Sequence, residues 1–241
     1  MKRNNDMLEK TDLSKCKRLA KYFLDIDIQE NDIVPDIVSH PFFQYCFVID
    51  EETGEMVNIL ENENALIKIK EQIKDKINKI DNYMQFTLLV TKPYRLAFLK
   101  HTIEYLNKED FSKYLIDTWV EDEYVNLNKD VSKRELVKYF KNASKEYLMD
   151  EEEMQVYSNL EDVVVIYRGV TDYNNKQIKA MSWTLNKETA IWFANRFKQK
   201  GYVYQAKINK KDILAFCDKR NEKELIVDYT KLYDIKEMEK I

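Results

Sequence analysis

The chain has 241 residues, long enough to bury a substantial core in one large domain or two modest ones. Hydrophobic residues make up 44% and charged residues 34%, with only three Gly and three Pro, which excludes a linker or disordered tail and indicates a helix-rich soluble protein. Thirty-nine Lys and Arg against 43 Asp and Glu leave a net charge of -4, which argues against bulk nucleic-acid binding driven by phosphate neutralisation and leaves room only for a local basic patch.

In chain order, the first residues run from Met1 to Asp6 into a charged amphipathic segment with no apolar leader core, so no signal peptide is expected. Residues 1 to about 160 read as mainly helical. His40, just before Pro41, has no catalytic partner in view, and His101 falls within a helical pattern; both read as structural. Phe42 to Ile49 is aromatic and β-branched, Glu51-Glu52-Thr53-Gly54 is a turn, and Met56 to Leu60 returns, which predicts a hairpin. Leu66, Ile69, Ile73, Ile77 and Ile80 form one stripe on a helix over about Asn64 to Ile80, too short for a coiled coil and read as core. Ser132-Lys133-Arg134-Glu135 and Asp150-Glu151-Glu152-Glu153 each carry the capping-box spacing. The second opens the last domain, so the expected division is 1–150, mainly helical and without an assigned function, and 151–241.

Beyond Leu160 the texture changes. Val163 to Tyr167 is a β-branched run suited to a central strand that ends at Arg168-Gly169. A polar loop from Thr171 to Gln177 leads to a short strand, Ala180 to Leu185. Asn186 then caps a helix whose buried face is Ala190, Phe193, Ala194 and Phe197. Gly201 ends that helix, Tyr202 to Ile208 alternates like a half-buried strand, and Ile213 to Phe216 and Leu225 to Val227 supply two more. Cys16, Cys46 and Cys217 are far apart and odd in number, so they read as free thiols in a reducing compartment, and with two histidines a zinc site is not expected. No apolar stretch is long enough to span a membrane, and a cytoplasmic protein is expected.

Three short pieces in the last third carry the chemistry: Tyr167-Arg168-Gly169, Ser182-Trp183-Thr184 and Glu222-Lys223-Glu224. Their order resembles the arginine-serine-glutamate class of ADP-ribosyltransferases, over about residues 160 to 230. Together with the helix Ala190 to Arg196 and the segment Asp212 to Phe216, the pattern is similar to small transferase-like proteins of phages and mobile elements, which implies an effector against a host or defence protein. The fold so implied is α+β, a helical amino-terminal region followed by a split, mixed β-sheet transferase domain.

Cleaving the nicotinamide-ribose bond of NAD needs an anion clamp and a carboxylate near the positive charge that builds on the ribose. Arg168 offers a planar, permanently charged fork for phosphate, and Gly169 lets the backbone approach. Glu224 is the carboxylate, and Glu222, two residues earlier on an extended chain, projects on the same face where an acceptor must arrive. The resemblance adds roles: Arg168 contacts NAD phosphate and ribose, Ser182 supports the pocket and orients Glu224, and Glu222 governs transfer to arginine. It implies an NAD-contacting set of Arg168, Gly169, Ser182, Trp183 and Thr184, a protein target, and no metal. The loop Cys217 to Asn221 is where the family recognises that target.

Blander readings stand beside these. Arg168 alone fits a salt-bridged strand end, and Glu222 and Glu224 alone fit a solvated surface pair. Trp183 and Trp192 fit core packing better than base stacking, and Arg196 fits a helix cap. The alternatives to transfer are NAD glycohydrolysis, a non-catalytic binding or inhibitor module that keeps the transferase fold, and a phage structural protein.

Overall fold

A computed structural model describes residues 7–122, 130–172, 174, 177–196 and 200–240. The start from Met1 to Asp6, where no signal peptide is expected, and the expected burial of Phe197 lie outside the described residues. The chain divides into two units, Met1–Glu123 and Tyr124–Ile241.

The first unit is helical, with two small hairpins. Helix α1 (Leu13–Leu24) is capped by Asp12, which accepts from the Lys15 amide at 3.2 Å, and it buries Cys16, Ala20 and Leu24 at one per turn. Strands β1 (Gln29–Glu30) and β2 (Val38–Ser39) pair antiparallel, as do β3 (Phe47–Ile49) and β4 (Met56–Asn58), the expected hairpin, whose turn places Gly54 at φ 74°. Helix α2 (Glu63–Lys79) starts at Asn62, whose side chain accepts from Ala65 N at 3.0 Å. Ile69, Ile77 and Ile80 of its stripe are buried and Leu66 and Ile73 half-buried, as a core helix requires. Helices α3 (Phe86–Leu89), α4 (Arg95–Thr102) and α5 (Lys108–Glu121) surround an aromatic cluster in which Phe86 and Phe98 lie 4.8 Å apart and Tyr83 and Tyr114 4.9 Å apart. Burying each such ring stabilises by roughly 1.5–3 kcal/mol.

The second unit begins with α6 (Lys133–Asn142), α7 (Lys145–Leu148) and α8 (Glu151–Ser158), and both expected capping boxes form, Ser132 with Glu135 and Asp150 with Glu153. Then follow β5 (Val163–Thr171), β6 (Ser182–Thr184), α9 (Lys187–Asn195), β7 (Gly201–Asn209), β8 (Ile213–Cys217), β9 (Glu224–Val227) and β10 (Tyr233–Lys240). The strands form one six-stranded sheet in the order β10-β7-β5-β6-β9-β8, and every pairing is antiparallel. The expected mixed sheet is thereby corrected. Although α9 connects β6 to β7, β5 sits between those two strands and runs against both, so no parallel neighbours arise.

The joints of the sheet are unequal. β5 and β7 pair along their whole length, from Val163 facing Asn209 to Thr171 facing Gly201, whereas β5 and β6 meet only at Tyr167 facing Thr184. The sheet therefore divides into β10-β7-β5 and β6-β9-β8 at that juncture. Helix α9, capped as expected by Asn186, lies on β5 and β7 with Ala190 and Ala194 buried. A Cβ on Gly169 would sit 1.9 Å from the Ala190 carbonyl oxygen, and one on Gly201 2.1 Å from that of Ala194. Glycine at both positions is what lets the helix backbone come so close.

Three sequence expectations change, and one strand is new. The three helices before β5 pack with this unit: Lys145 Nζ donates to Ile213 O at 3.1 Å, Lys141 pairs with Asp228 at 2.6 Å, and Phe216 N meets Met149 Sδ at 3.3 Å. The division thus lies ahead of α6 and not at 150. β5 runs past Arg168 and Gly169 to Thr171, and its first half is buried on alternate residues, with Val163 and Val165 exposed. β10 was not anticipated, because its charged, mostly exposed sequence carries no apolar run and its place comes from pairing with β7. Trp192 is 58% exposed and not in the core, with the Arg196 guanidinium 5.9 Å from its ring, while Trp183 is buried as expected. No helix among the described residues is long and apolar enough to cross a membrane.

Candidate functional site

The β5-β6-β9 juncture gathers the predicted residues. Arg168, in the middle of β5, sends Nη1 across to the main-chain carbonyl of Ser182 at the start of β6, at 2.6 Å. Glu224 opens β9, faces Thr184 on one side and Cys217 on the other, and is buried. Burial lowers the Arg168 guanidinium to about 10, and the Glu224 carboxylate opposes that drop. The arginine still carries its charge at neutral pH. Its Nε is buried with no hydrogen-bond partner among the described residues. A buried donor left without an acceptor costs about 1–3 kcal/mol, a cost that Arg168 Nε shares with the Tyr114 and Thr118 hydroxyls of the first unit.

Ser182 thus touches Arg168 through its carbonyl. Trp183 turns its indole into the core and donates Nε1–H to Ala180 O at 3.0 Å. Thr184 is the tie of the site: its hydroxyl donates to the Glu222 carbonyl at 2.7 Å and accepts from Asn186 N at 3.0 Å, joining β6, the approach to β9 and the cap of α9. The close approach that Gly169 permits is to α9.

Glu222 departs from the expected geometry. Asn221 and Lys223 adopt positive φ, 59° and 46°, so the chain between Glu222 and Glu224 is not extended and the two-residue alternation does not put both carboxylates on one strand face. Left-handed backbone at a residue other than glycine costs about 1–2 kcal/mol and persists where surrounding bonds enforce it. Here Asp218 supplies them. Its carboxylate accepts from Lys223 N at 2.8 Å, its carbonyl accepts from Asn221 N at 2.8 Å, and its own N–H donates to Glu153 Oε1 at 2.8 Å. The turn so fixed sets Arg220 beside Glu222, with Nη2 to Oε2 at 3.0 Å.

The sequence placed Arg220 and Asp218 only within the loop implied to recognise a target, and Glu153 only in a capping box; their bonds to one another and to neighbouring residues were not foreseen. Glu153 was visible as a capping residue, but its bond to Asp218 spans 65 positions and leaves no local signal. Cys217 is not a nucleophile in this setting, since burial, reinforced by Glu224 and Glu153, raises its thiol to about 12. All three cysteines are buried free thiols. His40, in the first unit, accepts from Phe42 N at 3.0 Å through Nδ1 and meets Ile26 O at 3.1 Å through Nε2, a satisfied core histidine as expected. Among the described residues no cluster of three or more His, Cys, Asp or Glu could hold a metal ion. No protein-family model, curated protein or solved structure matches the chain.

Proposed function

We propose that the second unit is a mono-ADP-ribosyltransferase domain, which cleaves NAD at the nicotinamide-ribose bond and transfers ADP-ribose to a protein side chain, arginine being the favoured acceptor. The observation that carries this reading is the convergence of Arg168, Ser182 and Glu224 at the single-pair joint of the sheet, with Nε of the half-buried arginine left without a partner among the described residues. That donor set fits a phosphate or ribose oxygen of a dinucleotide.

Arg168 holds the anionic part of NAD, and its bond to Ser182 fixes the plane of the guanidinium before the substrate arrives. Glu224, held on β9 in low-dielectric surroundings, faces the positive charge that develops on the ribose as neutral nicotinamide departs. Glu222, whose carbonyl is tied to Thr184, receives the acceptor and its proton.

The test is incubation of the protein and its Glu224→Gln variant with tagged NAD and a bacterial lysate, following nicotinamide release and labelled bands. Label with the parent that vanishes with the variant is the expected result. Nicotinamide release without labelled protein would replace transfer by glycohydrolysis. Neither signal would leave a non-catalytic binding module as the better account.

A further inference from the structure

Glu153 is a buried carboxylate, 4% exposed, outside the roles assigned to Arg168, Ser182, Glu222 and Glu224. Burying a carboxylate is costly unless its oxygens are bonded, and here each oxygen has a separate partner. Oε2 accepts from Asp150 N at 3.1 Å and closes the capping box of α8, while Oε1 accepts from Asp218 N at 2.8 Å, 65 residues further along the chain. A capping box needs only the first bond. The second ties α8 to the turn that carries Glu222. We propose that Glu153 is a positioning residue for ADP-ribose transfer: acting through Asp218, it sets Glu222 where an arginine acceptor gives up its proton, and so governs how ADP-ribose divides between arginine and water. The proposal rests on the reading of Glu222 and Glu224 given above.

Asp218 is held at its N–H by Glu153 and passes that position on through two other groups. Its carboxylate accepts from Lys223 N and its carbonyl from Asn221 N, both at 2.8 Å, which brackets Glu222 between residues held at φ 59° and 46°. Backbone of this kind relaxes to ordinary φ once its bonds are lost. Glu224 does not depend on these bonds, because β9 pairs it with Thr184 on one side and Cys217 on the other. Releasing Asp218 therefore displaces Glu222 and spares Glu224.

Transfer and hydrolysis share the breaking of the C1′–nicotinamide bond, whose electron pair leaves with neutral nicotinamide. In transfer, a guanidinium nitrogen of the acceptor forms a C–N bond to C1′ and gives one proton to the Glu222 carboxylate, which passes it to water. In hydrolysis, water forms a C–O bond to C1′ and loses its proton to solvent. Only transfer needs Glu222 at a fixed place, and a misplacement of about 1 Å costs up to about a hundredfold.

The experiment gives the full chain NAD and agmatine, a free guanidinium compound, and measures nicotinamide, ADP-ribosyl-agmatine and free ADP-ribose for the parent, Glu153→Gln and Asp150→Ala. Glutamine has one carbonyl oxygen, so it cannot accept from both Asp150 N and Asp218 N. Glu153→Gln is expected to lower the ratio of ADP-ribosyl-agmatine to ADP-ribose about tenfold, with nicotinamide release within about twofold of the parent. Asp150→Ala removes the other bond of the box, from Glu153 N to Asp150 Oδ1, and keeps the tie to Asp218, so the urea midpoint should fall with the ratio unchanged. An unchanged ratio in Glu153→Gln, or the same fall in Asp150→Ala, would overturn the proposal and leave NAD cleavage in place. If Glu153→Gln does not fold, Asp218→Ala carries the test. It should lower the ratio as Glu153→Gln does, and Asp218→Asn, which keeps an oxygen for Lys223 N, should restore it; an unchanged ratio in the alanine variant would overturn the proposal. Nicotinamide release by the parent without ADP-ribosyl-agmatine would remove the acceptor role of Glu222 and this proposal with it. Absence of nicotinamide release would overturn the transferase reading as well.

Discussion

Arg168 in β5 and Ser182 in β6 are joined by a 2.6 Å hydrogen bond from the guanidinium to the main-chain carbonyl, across a separation of 14 residues. Main-chain pairing does little at this joint, since the two strands share only Tyr167 facing Thr184. The side chain of an arginine assigned to substrate binding therefore also helps close the seam of the sheet.

Arg168→Lys keeps a positive charge but removes the planar fork. Nicotinamide release is expected to fall at least about tenfold, and stability by about 1–2 kcal/mol as the bond to Ser182 is lost. Steady-state release and urea unfolding measured side by side separate the two effects. Full activity with reduced stability would make Arg168 a structural residue only.

Gly169→Ala should be strongly destabilising, by about 1–3 kcal/mol or more, because the new Cβ would meet the Ala190 carbonyl oxygen at 1.9 Å. The obstacle is backbone, so adding Ala190→Gly should not restore stability. Urea midpoints of the single and double variants decide this, and recovery in the double variant would mean that side-chain crowding is the cause.

Thr184→Val keeps the shape of the side chain and removes the hydroxyl that donates to Glu222 O and accepts from Asn186 N. A loss of about 1–2 kcal/mol is expected, with Thr184→Ser restoring most of it. Glu224 is held by β9 pairing and Glu222 is not, so transfer to arginine should drop more than nicotinamide release. Equal losses in the two readouts would argue that the Thr184 bond does not position Glu222.

His40 gives the first unit a pH dependence. Burial, aided by the charge of Lys70, lowers its pKa from 6.5 to about 4, so the unfolded chain binds the proton more tightly than the folded one. Stability contributed by neutral His40 is present above pH 6.5 and is lost as pH falls through the window toward 4, by about 2 kcal/mol between pH 7 and 5. Denaturant titrations of parent and His40→Asn at the two pH values should show this part of the slope only in the parent.

Much of the local structure was legible before any coordinates. The caps at Ser132, Asp150 and Asn186, the apolar stripe of α2 and the hairpin of β3 and β4 follow from contacts three or four residues apart or across one short turn. Arg168, Ser182 and Glu224 were named as candidates from their sequence context, and the fold sets the Arg168 guanidinium on the Ser182 carbonyl with the Glu224 charge acting on it. Expectations that depended on what lies on the other side of an element failed. Val163 and Val165 are exposed in a run read as central, and Trp192 points outward from a helix whose opposite side is seated on two glycines.

The sequence alone determined most of the helices and the caps that start them, because capping and periodic burial are settled within a turn or two of chain, and it put arginines and carboxylates but no histidine in the last third. Only the tertiary structure decided that the sheet is antiparallel throughout, that β10 joins it, and that α6 to α8 pack with it. It alone decided that Gly169 serves α9 and that Arg220 sits against Glu222. Those outcomes depend on positive φ at Asn221 and Lys223, on bonds between residues tens of positions apart, and on how closely two backbones approach, none of which leaves a periodic trace in the order of residues.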